Sequence, residues 1–379
     1  MARKSSSGRM GLVTRTSMPA SELDGVADEI AWREKMEIRN EDRRAKGVLR
    51  QGLLVGDAAQ AGVPVCHIGR EIPVQCDRVG FADQGTGGSV IHRFIFQNEE
   101  VKAVEKARWS PGQGGLICGW GVFTTLRIVR GEAFAYERHW RRLEKDSGIT
   151  RMPVSYTGAK VRLHLQEVIR ANKVEEGCAR IYLVWNNVGF WRSDEKVPDM
   201  DLVITTADVP HYPETVRLAV REHGRHAAAP LAGVKTISWL NSVWPVAEAQ
   251  REGFDEVVLL NERGEVSECT AANIFAVKGD KVVTPPLSSG CLEGVTRGVL
   301  AEVAPEAGVA VVEQTLRLED LYSAEEVFIT STNRNVIGVR EIAGAKIGNG
   351  RTGEVTRKLD TVFENFVNDY VGRRLAASR

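Results

Sequence analysis

From residue 89 onward the chain alternates short β-branched runs with longer stretches of helical spacing, and the pattern falls into two halves. Positions 89–96 (SVIHRFIF) alternate as a half-buried strand does, and a turn at 97–100 leads to a second short run at 101–104. A turn at 110–112 and a loop carrying Gly114, Gly115, Gly119 and Gly121 precede a strand predicted at 122–129. Arg130 and Gly131 then predict a hairpin turn into 133–136. Helices are predicted at 137–146 and 159–172, and strands at 179–185 and 201–206. The segment 207–213 (ADVPHYP) holds two prolines, which disfavour regular structure, so it reads as a link between the halves.

The second half opens with a strand at 216–220 and a helical run at 243–251 broken at Gly253. A β-rich run at 255–261 meets a turn at 261–264, and the next strand carries Glu268 and ends at 273–277. After a strand at 281–284, the Pro/Gly loop 285–297 feeds a helix at 296–303. A short helix at 318–322, a strand at 326–330, a polar turn at 331–334 and a closing helix at 352–371 complete an α+β pattern without internal repeats. Residues 1–88 read differently: polar and irregular, with one charged helical candidate at 21–45 and a glycine-rich stretch at 80–89. A partly disordered N-terminal extension and a small regulatory arm both fit them, and the extension is the reading taken. The expected division is therefore an extension at 1–88, a small α+β domain at 89–206, an interdomain link at 207–215 and a large domain at 216–379.

Composition narrows the functions. Lys plus Arg and Asp plus Glu are equal at 50 each, so no net field favours nucleic acid as a partner. No apolar run approaches the roughly 18 residues that span a membrane. The basic, Ser-rich start lacks the apolar core of a secretory signal. Six scattered cysteines with no metal-ligand spacing predict a reducing, cytoplasmic setting and no metal site.

Chemistry concentrates in the stretch 233–275, where Lys235 opens a helix–hairpin unit and Glu268 lies on its last strand. A lysine that forms a Schiff base, with a carboxylate that keeps a pyridine nitrogen protonated, is what pyridoxal phosphate chemistry requires. The loop 285–297 running into a helix offers N–H groups to an anion such as a phosphate.

Six blocks, in order, are similar to those of the class IV aminotransferases, the fold-type IV pyridoxal phosphate enzymes. They are GWGVFTTLR at 119–127, ERHWRRL at 137–143, VKT at 234–236, GFDEVVLLNERGEVSECTAANIF at 253–275, TPPLSSGCLEGVTR at 284–297 and VFITSTNRNVIGV at 327–339. The family includes branched-chain and D-amino-acid aminotransferases and 4-amino-4-deoxychorismate lyase. The resemblance implies a small N-terminal α/β sandwich and a larger C-terminal pseudo-barrel domain with pyridoxal 5′-phosphate between them. It also implies a homodimer. By position, Lys235 resembles the Schiff-base lysine, Glu268 the partner of the pyridine nitrogen and Arg142 the helix arginine on the phosphate. Val295 and Thr296 resemble one phosphate loop, and Ser331 and Thr332 a second; plain capping roles remain open for both.

The implied activity moves an amino group between an amino acid, branched-chain or otherwise apolar, and a 2-oxo acid. A lyase reading stays open through the run Phe123–Thr124–Thr125, and so does a degenerate, non-catalytic cofactor fold. Three departures fall on the substrate side: Trp120 inside the first block, Trp185 near an expected arginine, and Trp239 with Ser238 where branched-chain enzymes carry a tyrosine. The three tryptophans read either as an apolar substrate lining or as core aromatics. Arg334 and Arg180 are the substitute anchors for a substrate carboxylate.

Overall fold

The computed structural model describes residues 90–110, 112–187 and 198–377. The expectations for 1–88, including the helix at 21–45, and for the first residue of the opening strand lie outside the described residues. Strands β1 (Phe94–Gln97), β2 (Glu100–Ala103), β3 (Gly121–Val129), β4 (Glu132–Ala133), β5 (Glu176–Trp185) and β6 (Met200–Ala207) form one antiparallel sheet in the order β2-β1-β6-β5-β3-β4. The β3–β4 turn has the left-handed pair expected of a tight hairpin, with φ 52° at Arg130 and 74° at Gly131. Alternation along β3 sends Val122, Leu126 and Ile128 into a core shared with helices α2 (Tyr136–Ile149) and α3 (Gly158–Asn172). Phe123 points to the other face, away from that core.

The second sheet comprises β7 (Thr215–Arg221), β8 (Glu256–Leu260), β9 (Val266–Cys269), β10 (Asn273–Lys278), β11 (Lys281–Thr284), β12 (Ala310–Glu313), β13 (Glu326–Ser331), β14 (Asn335–Ile342) and β15 (Ala345–Lys346). Its order is β12-β11-β10-β13-β14-β7-β8-β9, with β15 on β14. The pairs β7–β8, β7–β14 and β11–β12 are parallel, so the sheet is mixed. Helices α4 (Leu240–Arg251), α5 (Val295–Val303), α6 (Leu318–Tyr322) and α7 (Glu354–Ala377) accompany it. This is the expected α+β class, a smaller sheet followed in sequence by a larger curled one.

Three local expectations change. The glycine-rich loop after residue 112 coils into a short helix, α1 (Gly114–Cys118), closed by the Leu116 and Ile117 N–H groups on the Gln113 carbonyl. Glycine content alone favours a loop, and here tertiary contacts override it. The single strand expected from 266 to 277 is two strands. Thr270 turns aside to bond buried Glu256 through its N–H and hydroxyl, and Cys269 N–H closes a turn on Ala272 O. Strands β12 and β14 have no separate expectation in the sequence, because their apolar runs are short or interrupted.

Helix α7 joins the two halves. Glu326 caps its first turn by accepting from the N–H groups of Val355 (3.1 Å) and Thr356 (2.9 Å). Farther along, Phe134 of the first half packs edge-on against Phe363, Phe366 and Tyr370. Arg127 pairs with Glu364 at 2.8 Å, and Arg130 donates to Asn368 O at 2.8 Å. The Phe363 side chain is buried in the cluster that α5 and α7 share with Phe275 and Phe328. Replacing Phe363 by Ala is expected to lower the unfolding free energy by about 3–5 kcal/mol in denaturant titration. A loss below about 1 kcal/mol would mean that this cluster does not hold α7 in place.

Candidate active site

Lys235 is held by its backbone on three sides. Phe123 N–H donates to Lys235 O (3.0 Å), and Ile237 N–H donates to Gly121 O (3.0 Å). The segment is thus laid against β3 as a short antiparallel edge, with Val122 bridged to Thr236. The Lys235 N–H itself donates to Asp146 Oδ2 (3.2 Å). The side chain is thereby left to the cleft, where Nζ lies 4.5 Å from the centre of the Phe123 ring and 5.8 Å from that of Trp239. Tyr182, directly across from Phe123 on β5, stacks on it at 5.7 Å. Burial, then the charges of Arg142 and Arg180, bring the Lys235 amine down to about 7, with Glu268 and Asp146 opposing. An amine in that range is free in a large fraction at neutral pH.

Helix α2 brings Arg142 and Asp146 to one face, since residues four apart on a helix are neighbours. Arg142 is buried, and burial pulls its guanidinium below the ordinary arginine value. Its Nη2 donates to Thr124 Oγ1 (2.9 Å), while its Nε is buried without a hydrogen-bond partner. The same Thr124 hydroxyl lies 2.8 Å from His139 Nδ1. Burial, aided by the Arg142 and Lys235 charges, holds His139 well below the usual histidine range, so the ring is neutral. Arg142 therefore donates to a hydroxyl that is also hydrogen-bonded to the neutral imidazole.

Glu268, on β9, is buried and has both oxygens engaged. Oε1 accepts from Arg225 Nε (3.1 Å) and Oε2 from Leu292 N–H (3.0 Å). Leu292 opens the approach to α5, and Asn273 Nδ2 donates to its carbonyl at 2.9 Å. Gly294, the N-cap of α5, must lack a side chain, because a Cβ there would sit 2.1 Å from Asn273 Oδ1. No side chain caps this helix, and Val295 and Thr296 in its first turn are buried. Unpaired N–H groups at a helix start favour an anion.

The remaining expected residues divide. Thr332 Oγ1 donates to Thr125 O (3.2 Å), next to the Thr124 that holds Arg142, so the 331–334 turn meets β3. Ser331 Oγ accepts from Arg334 N–H (3.3 Å) as an ordinary turn cap. The Arg334 guanidinium is engaged elsewhere: it lies 3.0 Å from buried Glu256 Oε2 and 4.9 Å over the Tyr212 ring. Trp239 lies edge-on to Phe123 at 5.8 Å and shares the space around Lys235. Trp185 packs against the first core, and Trp120, 39% exposed, donates from Nε1 to Thr150 O (3.1 Å). The sequence alone gives no site role to His139, Asp146, Arg225 or Asn273, and it marks Thr124 only through the run 123–125. His139 stood in the quoted block 137–143, and Asp146 was legible as the helical neighbour of Arg142.

Comparison with known proteins accords with this geometry. The amino-transferase class IV family matches residues 121–342. A putative branched-chain-amino-acid aminotransferase of Methanocaldococcus jannaschii is 32% identical over 278 residues, covering 72% of this chain and 95% of the relative. The branched-chain amino acid aminotransferase of Escherichia coli superposes with a TM-score of 0.68 at 28% identity, covering 73% of this chain and 95% of that one. A branched-chain aminotransferase from Thermoproteus uzoniensis, solved with norvaline, superposes with a TM-score of 0.66 at 27% identity, covering 74% and 95%. The chain belongs to the class IV aminotransferase family: it is a transaminase, and pyridoxal 5′-phosphate is its cofactor.

The lowered Lys235 amine gives a direct expectation for the cofactor-free protein. Trapping of an added aldehyde on Lys235 by borohydride should rise with pH around a midpoint of about 7, rather than near the 10.5 of an ordinary lysine. Below the midpoint the amine is protonated and labelling falls; above it labelling is complete. Peptide mapping across the neutral range measures this, and a midpoint near that of ordinary lysines would show that Lys235 is solvated.

Proposed function

We propose that the chain transfers an amino group between an apolar, branched-chain L-amino acid and a 2-oxo acid, with Lys235 as its proton carrier. The observation that carries this reading is the Lys235 amine, brought to about 7 beside Arg142 and Glu268 and set against the rings of Phe123 and Trp239. The residues suit pyridoxal phosphate end to end. Buried Arg142 with an unpaired Nε and the uncapped start of α5 offer donors to a phosphate. Glu268 offers a carboxylate to a ring nitrogen, and Lys235 offers an amine to an aldehyde.

When bound, pyridoxal phosphate supplies an aldehyde and a protonated pyridine ring that stores the electron pair left when the substrate Cα loses its proton. The free Lys235 amine would carry a proton between the substrate Cα and the bound cofactor, as base and then as acid. Glu268 holds the ring nitrogen protonated by accepting its hydrogen bond. Arg142, Thr296 and the N–H groups at Val295 and Thr296 would hold the phosphate, with the backbone of the Ser331–Thr332 turn as a second loop; they orient and add no chemistry. Phe123, Tyr182 and Trp239 exclude water and receive an apolar side chain. Arg180, two residues before Tyr182 on the same face of β5, is the group we assign to a substrate carboxylate. The substrate class is supported by the names of the relatives and by these three rings.

Homodimer formation and a cytoplasmic setting belong to the same proposal. Leu116, Ile117, Leu240 and Trp244 are exposed around α1 and the start of α4, as an apolar face for a second copy would be. The four cysteines among the described residues are free, as in a reducing compartment. Among the described residues no helix is long and apolar enough to cross a membrane.

Borohydride reduction of the cofactor-loaded protein should leave the label on Lys235; a label on another lysine overturns its assignment. L-Leucine should then discharge the visible absorbance and release its oxo acid, and 2-oxoglutarate should restore it. Pyruvate release from 4-amino-4-deoxychorismate, without discharge by any amino acid, would establish a lyase instead. Glu268→Gln should keep the cofactor yet slow the L-leucine half-reaction by roughly a hundredfold or more. Near-normal turnover would remove Glu268 from its role.

A further inference from the structure

Arg225 has no part in the chemistry described above, yet it grips the carboxylate on which that chemistry depends. Its backbone N–H donates to Leu260 O (3.2 Å), which fixes the residue at the end of β8. Its Nε reaches Glu268 Oε1 at 3.1 Å, and its Nη2 reaches Ser242 Oγ at 3.2 Å. Ser242 is buried in the first turn of α4, the helix that starts just after Lys235. On the far oxygen, Leu292 N–H donates at 3.0 Å. A glutamate side chain has free torsions that one hydrogen bond does not fix. Donors on both oxygens set the plane of the carboxylate, and the remaining lone pairs are left for a third donor.

We propose that Arg225, backed by Ser242, is the positioning residue that aims Glu268 at the ring nitrogen of the cofactor. The inference rests on the reading of Glu268 given under the proposed function. The geometry explains why an arginine stands here. A planar guanidinium spans Glu268 and Ser242 at once, whereas a lysine ammonium is a point charge on a flexible stem. The span also ties two parts of the site together, because Arg225 precedes Lys235 in the chain and links Glu268 to Ser242, which follows it. With 21% of the Arg225 side chain and 9% of the Glu268 side chain exposed, the pair is largely shielded from water, so Arg225 both orients Glu268 and offsets the burial of its charge.

The test uses pyridoxamine 5′-phosphate, which binds without a bond to lysine, labelled with nitrogen-15 in the ring. Its resonance separates a protonated from a bare ring nitrogen, and its fluorescence reports affinity. Arg225→Leu is expected to move the resonance toward the bare position and to weaken binding about tenfold or more, the loss expected for one oriented charge-assisted hydrogen bond. Ser242→Ala should shift both in the same direction by less, and Arg225→Lys should recover part of the loss. Binding of inorganic phosphate should be unchanged in all three, since the phosphate groups are untouched. The proposal is overturned if Arg225→Leu leaves the resonance and affinity as in the parent while Glu268→Gln changes both. It is equally overturned if phosphate affinity falls in step, because Arg225 would then be supporting the fold at large. A resonance that Glu268→Gln does not move would sink the reading of Glu268 itself.

Discussion

The hydrogen bond from the Lys235 backbone to Asp146, one helical turn beyond Arg142, ties the segment that bears the amine to the helix that bears a buried arginine. Two residues four apart on α2 point the same way; one reaches into the space above Thr124, and the other takes hold of the strand edge that bears Lys235. The arrangement places several ionisable groups out of water together, and the shifts record the strain. His139 is driven neutral, the Lys235 amine falls to about 7, and burial raises the Asp146 carboxyl. Within this cluster the buried Arg142 Nε is left without a hydrogen-bond partner.

The groups of the site come from both sheets, so the contacts between the halves matter as much as those within them. Thr124, His139, Arg142 and Asp146 belong to the first half, and Glu268, Asn273 and the start of α5 to the second. Thr332 meets Thr125 directly, and Lys145 pairs with Glu293 at 2.6 Å across the same divide. Leu292 ties these features to one another, since its N–H serves Glu268 and its carbonyl serves Asn273. Glu268 thereby touches the loop that leads into α5.

Much of this was legible from residues alone. The turn at Arg130–Gly131, the alternation of β3 and the helical spacing of α2, α3 and α7 are local signals, and the structure follows them. Lys235 and Glu268 stood out as a lysine and a carboxylate in one compact unit, and Arg142 entered through the resemblance of its block to the class IV aminotransferases. What the sequence left dark was long-range. Arg225 and Ser242 are unremarkable letters until folding sets Arg225 between Glu268 and the first turn of α4. Thr124 stood in the block 119–127, but nothing there shows that its hydroxyl joins Arg142 to His139. The tryptophans were read as a group, but they lie in different surroundings, because only Trp239 shares a face with the Lys235 amine. Arg334, read as a carboxylate anchor, spends its charge on Glu256, a partner far away in sequence.

Helix α7 carries a consequence for how the protein is made. Its contacts with the first half, among them Arg127 to Glu364, span 237 residues of chain. Contacts so distant in sequence form late, and during synthesis they cannot form until the helix has left the ribosome. Both sheets can pair their strands before then, but the aromatic wedge around Phe134 has nothing to close on. A nascent chain interrupted ahead of α7 would display Phe134 and the apolar backs of α5 and β13 to the cytosol. Quality control would therefore meet an exposed greasy seam, and the last helix is the piece that conceals it.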